Sequence, residues 1–257
     1  AHATDYENTS SLTALNGAPD CSHLQSRARI TQRQLSAFER SMANQYRISD
    51  AEENRLGRMA FRQVTAKLPG TVTTTGPVAE YIRAVGARIA KKAKRRGITY
   101  RFHYIKGMKE PNAMAIPGGY IFVSEGFLDK FAQNEAQLAG VLAHEVAHVE
   151  LRHSTGWIGV FKEFYPGDDA AVVGALATRL IDQPYSAGKE SDADEWGLTA
   201  AYESGYSAYE VSLMWKHVGA RYGAQTTGTF KLPIPDLPQG GGFLGLAADV
   251  LGQAKTV

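Results

Sequence analysis

His144, Glu145 and His148 form an H-E-x-x-H arrangement within a stretch of helical periodicity. On an α-helix, positions i and i+4 lie about 40° apart around the axis. Both imidazoles therefore point the same way, one turn apart, and can reach one tetrahedral metal ion. Zinc is the ion this motif suits, and it lowers the pKa of a bound water to roughly 7. Glu145 is placed to take that water's proton rather than to bind the ion. The plainer alternative is a helix that carries two histidines by chance. A purely structural metal site is a poor third, because it has no use for an acid beside its ligands.

The surrounding sequence supplies the helix. Asn134 is a good N-cap, and Gln137 stands in the capping-box position. Leu138, Val141, Leu142 and Val149 follow at helical spacing, predicting one buried apolar face. Two histidines and a glutamate on such a helix need partners, and a metal would satisfy all three. Leu151 and Ser154 stand where a metzincin would carry Gly and His, so the third ligand comes from elsewhere. His153 would lie about 140° round a continuing helix from His148 and reads as a surface or packing residue. Glu190 is the best third ligand. It forms an i, i+4 pair with Asp194, which can accept a hydrogen bond from the free ring nitrogen of a ligating histidine. Gly197 permits close approach between the two helices. Taken alone, Glu190, Asp192, Asp194 and Glu195 would read as an acidic solvated helix face.

Four segments in order resemble one family. They are 50–57 (DAEENRLG), 112–123 (NAMAIPGGYIFV), 144–153 (HEVAHVELRH) and 190–197 (ESDADEWG). The chain is similar, from about residue 50 to about 217, to the gluzincin metallopeptidases. These include the CAAX prenyl proteases, the HtpX proteases and soluble periplasmic relatives such as BepA and LoiP. The resemblance implies a mostly helical α+β fold with a small β-sheet whose edge strand flanks the active-site cleft. It implies one zinc ion per chain held by His144, His148 and Glu190, with Glu145 as base and Asp194 behind the ligands. It further implies that the strand after Pro117, with Gly118, Gly119, Tyr120 and Ile121, is the edge that binds an extended polypeptide. Unfolded or damaged polypeptides are the implied substrates, and a periplasmic or secreted location is the implied setting. The residues agree on a strand: Tyr120–Val123 is aromatic and β-branched, and Pro117-Gly118-Gly119 breaks structure before it. A free strand edge can hydrogen-bond an extended peptide.

The chain also departs from the family. The His-Pro segment associated with oxyanion binding is missing after Gly205, and Ala187 stands where a basic residue precedes the third ligand. His217, Arg221 and Tyr222 read as surface residues, so no oxyanion stabiliser is assigned. That gap motivates a rival reading, a zinc-binding chaperone-like or latent protein with little peptidase activity.

Composition bounds the rest. The 257 residues, 44% hydrophobic, are enough for one or two domains with a substantial core. A net charge of +2 gives no argument for nucleic acid. The basic run 91–96 follows Val78, Ile82, Val85 and Ile89, and reads as the positively charged end of a helix closed by Gly97. Cys21 has no partner for an intrachain disulfide, and no apolar run reaches membrane-spanning length. We expect a flexible amino-terminal stretch and helical extension over 1–48, a metallopeptidase domain over 49–223, and a Pro/Gly-rich tail over 224–257. Strands are predicted at 99–106 and after Pro117, with helices at 49–68, 77–96, near Leu128 and at 168–181. The 154–189 connection, lying between the second and third ligands, is either a lid or a packing helix. The apolar segment after Gly242 either packs on the body or docks in the cleft.

Overall fold

The computed structural model describes residues 47–182, 185 and 187–222. The amino-terminal extension with Cys21 and the tail with its apolar segment lie outside the described residues. The order of elements is α1 (Asp50–Lys67), β1 (Thr71–Thr73), α2 (Pro77–Ala90), β2 (Arg101–Lys106), β3 (Ala113–Ile116), β4 (Tyr120–Ser124), α3 (Glu125–Phe131), α4 (Glu135–Glu150), α5 (Thr155–Phe164), α6 (Asp169–Asp182), α7 (Ala187–Glu203) and α8 (Ala208–Tyr222). The expected mostly helical α+β fold is present, with one small mixed sheet.

The sheet separates two hydrophobic clusters, and the alternation of its side chains decides which residue joins which. Phe102, Tyr104, Ala113, Ala115, Ile121 and Val123 face α2, α4 and α8. Ile105, Met114, Ile116, Tyr120 and Phe122 face α1, α5 and α6. β1 pairs antiparallel with β2, β2 runs parallel to β4, and β3 pairs antiparallel with β4.

This order, β1-β2-β4-β3, corrects one expectation. The strand after Pro117 is interior, its backbone engaged on both sides; the edges are β1 and β3, and β3 is the one that packs against α4. The cause is the Pro117-Gly118-Gly119 turn. Gly118 and Gly119 both hold φ at 82°, and the turn folds β3 back along the outside of β4.

α1 locks that turn. Its N-cap is Ser49, whose hydroxyl accepts from the Glu52 N–H at 3.2 Å. A Cβ on Gly57 would lie 2.2 Å from the Pro117 carbonyl oxygen, so only glycine lets the helix touch the turn. Helix propensity alone would favour alanine by about 1 kcal/mol. The backbone clash should reverse the sign: Gly57→Ala is expected to destabilise by roughly 1–3 kcal/mol. Gly174→Ala, at a helical position with nothing described within 4 Å, is the control and should not destabilise. Denaturant unfolding of both variants checks the pair.

Glu53, fully buried in α1, accepts from the Gly118 N–H at 3.2 Å and pairs with Arg95. Arg95 also reaches Asp50 at 2.7 Å. The basic run is therefore not a continuation of α2, which stops at Ala90. Arg95 turns inward because two buried or half-buried carboxylates of α1 need a cation.

The 154–189 connection contains α5 and α6. Val172, Val173, Leu176 and Ala177 are buried with Leu56, Ala60 and Val64 of α1, which is a packing arrangement. Polar contacts reinforce it: Arg55 joins Glu52 and Asp169, and Lys162 joins Glu52. Hydrogen bonds from Arg55 and Lys162 hold Glu52 down at about 2, against an ordinary value of 4.5. A depressed folded-state pKa gives stability above the ordinary value that is lost as pH falls toward the folded one. Glu52→Gln should therefore cost about 1 kcal/mol at neutral pH after solvent screening. The deficit should shrink between about pH 5 and pH 2, read from urea midpoints of parent and variant.

Candidate metal centre

α4 carries the first two site residues through the middle of the protein. The Asn134 side chain accepts from the Gln137 N–H at 3.0 Å, as the capping pattern requires. The Gln137 side chain reaches back one residue beyond the box, to the Gln133 N–H at 3.0 Å. Burial is continuous from Gln137 to Val149, so the helix is enclosed on every side rather than along one apolar face. Its small residues permit this. A Cβ on Gly140 would meet Val211 of α8 at 2.8 Å, and one on Gly197 of α7 would meet the His144 backbone nitrogen at 3.0 Å. Gly197 thus brings α7, with Glu190 and Asp194, hard against α4, as its position suggested.

Three potential ligand atoms converge there. His144 Nε2 lies 3.0 Å from His148 Nε2 and 3.2 Å from Glu190 Oε2, and His148 Nε2 lies 3.8 Å from the same oxygen. Ligands 2.0–2.1 Å from a tetrahedral zinc stand about 3.3 Å apart, so the spacing fits. The electrostatics fit too. The three residues are 2–3% exposed, and the Glu190 carboxylate is turned toward the two imidazoles. A buried carboxylate facing two imidazole nitrogens needs a cation. His144, His148 and Glu190 are a metal-binding triad of the kind zinc metallopeptidases carry.

Glu145 is also buried, at 6% exposure, on the helix that packs against the edge strand β3. Burial pushes its pKa up to about 7, against the pull of His144. Asp194 Oδ1 is 2.9 Å from His144 Nδ1. Burial opposes charge on His144, but Asp194 and Glu190 outweigh it and hold that ring up at about 10. Burial drives His148 the other way, well below the ordinary range.

His153 is the main correction among the site residues. It is 5% exposed, and its Nδ1 lies 2.8 Å from His148 Nδ1. The helix does not continue to it. Arg152 adopts φ 59°, its N–H bonds the Val149 carbonyl at 3.1 Å, and the His153 N–H bonds the His148 carbonyl at 2.9 Å. That is a Schellman stop, which turns the chain back under the helix end. Burial, then the charge of Lys189, pushes the His153 pKa down to about 3.

Two aromatic residues complete the walls. The Tyr185 ring stacks on His148 at 4.2 Å, and the Trp215 ring of α8 lies 4.9 Å from His144. Neither was singled out in the sequence. Their only sequence signal is an aromatic in the segment before Glu190 and another in the helix after α7. His217 and Arg221 are exposed, as expected. Gly118, Gly119, Tyr120 and Ile121 are buried in the turn and the interior strand, and the edge strand beside the site is 113–116.

Comparison with known proteins agrees with this centre. The chain is 27% identical over 195 residues to the mitochondrial metalloendopeptidase OMA1 of Schizosaccharomyces pombe, covering 71% of this chain and 57% of that one. It is 28% identical over 178 residues to the beta-barrel assembly-enhancing protease of Escherichia coli, covering 62% and 36%. It is 27% identical over 165 residues to the metalloprotease YcaL of Escherichia coli, covering 56% and 63%. The matched region thus spans between about a third and two thirds of these curated relatives. The model of peptidase family M48 matches residues 78–239, more than half of the chain, and the chain belongs to that family.

Proposed function

We propose that the protein is a zinc-dependent endopeptidase that cleaves unfolded or damaged polypeptides, with one zinc ion per chain. The observation that carries this reading is the position of Glu145: buried beside the triad, on the helix that packs against the edge strand β3. His144, His148 and Glu190 would hold the ion, which when bound polarises a carbonyl and lowers the pKa of water to about 7. Glu145 accepts the proton of the attacking water and returns it to the leaving amine. Asp194 fixes the tautomer and orientation of His144. An extended substrate lies along β3, the true edge, because that strand runs beside Glu145 and can add a partner.

A closed resting state is the second reading, and one observation favours it. All four site residues and all of β3 are buried, so a substrate cannot reach them without movement. Location outside the cytoplasm remains part of the proposal. It rests on the resemblance to soluble periplasmic relatives read in the sequence; separately, among the described residues no helix is long and apolar enough to cross a membrane.

The test is digestion of a permanently unfolded polypeptide by the zinc-loaded chain, before and after chelation. Internal cleavage that stops on chelation and returns with zinc is expected. Cleavage indifferent to chelator would contradict the proposal.

A further inference from the structure

We propose that His153 is a positioning residue: it accepts a hydrogen bond from His148 Nδ1–H and so fixes the tautomer that presents His148 Nε2 to the metal. This rests on the zinc-site reading and adds to it a role for a residue that binds no metal itself.

The geometry leaves little choice. His148 Nε2 faces His144 Nε2 and Glu190, so it must be free of a proton when it binds. A neutral imidazole carries one proton, which then sits on Nδ1. The atom 2.8 Å from that position is His153 Nδ1. It must therefore be the acceptor, with the proton of His153 on its own Nε2. Asp194 does the same for His144 at 2.9 Å. One ligand is thus held by a carboxylate and the other by an imidazole.

His153 is itself fixed. The helix stop at Arg152 ties its N–H to the His148 carbonyl, and its own carbonyl accepts from the Lys189 side chain at 3.1 Å. Arg152 pairs with Asp50 and donates to the Ile48 carbonyl at 3.3 Å, so α1 holds the turn in place. A neutral partner has a consequence of its own. It adds no second negative charge beside the triad, so the charge near the site stays with Glu190, Glu145 and Asp194.

The test uses zinc affinity, measured by competition with a chelating dye, and not activity. His153→Leu removes the acceptor and should weaken zinc binding by roughly 10–100-fold. His153→Asn places an oxygen where Nδ1 was and should stay within about threefold of the parent, a rescue that loss of packing would not show. Equal affinity in the parent and His153→Leu, or equal loss in both variants, would overturn the positioning role alone. A parent that binds no zinc would overturn the metal centre, and this inference with it. Long-range nitrogen–proton NMR of the zinc-loaded parent needs no variant, so it decides even if His153→Leu fails to fold. His153 protonated at Nε2 and His148 at Nδ1 are expected. A proton on His153 Nδ1 would overturn the proposal.

Discussion

Glu190→Gln is expected to weaken zinc binding by roughly 10²–10³-fold while leaving the metal-free protein as stable as the parent or more so. The first part follows from sharing the roughly 10–16 kcal/mol of a zinc site among its ligands, about 3–4 kcal/mol each. The second part has the less obvious sign. Glu190 is 2% exposed, burial raises its pKa, and without a metal the cation facing it is the His144 ring, itself penalised by burial, so the charged carboxylate is a buried liability. The neutral amide removes that cost. Zinc titration by calorimetry and thermal melting with and without metal read the two effects separately. Parent-like zinc affinity in the variant would remove Glu190 from the triad.

Glu145→Gln is expected to lower turnover by about 10²–10⁴-fold with zinc affinity and fold unchanged. The side chains are nearly the same size. What is lost is the ability to take a proton. Burial already disfavours the charged form of Glu145, so the neutral amide should not destabilise the helix.

Much of this centre was legible in the sequence because it lies on two helices, where spacing translates directly into geometry. The i, i+4 pairs His144/His148 and Glu190/Asp194 needed only regular helices to meet, and Asn134 announced the start of one of them. Gly197 announced the contact between them. The strands at 101–106 and 120–124 and the helix at 169–182 fell within a few residues of their expected places.

What stayed hidden depends on long-range order or on an unmarked turn. Strand content does not reveal strand order. Tyr120–Ser124 reads the same whether it is central or at an edge, and only the fold-back at Gly118-Gly119 places β3 outside it. His153 was hidden because α4 ends on Arg152 in the left-handed region, where glycine is the usual signal. Arg95 looked like the end of a basic helix because its partners, Asp50 and Glu53, are more than forty residues away. Trp215 and Tyr185 gave only a weak sign, since an aromatic residue in a helix or loop is ordinary core material.

The most direct measurement is to incubate zinc-loaded parent and zinc-loaded Glu145→Gln, side by side, with an unfolded polypeptide and follow internal cleavage by mass spectrometry. Cleavage by the parent that is lost in the variant, with equal zinc content in both, is the expected result. Equal cleavage by the two proteins would contradict the assignment of Glu145 as the base.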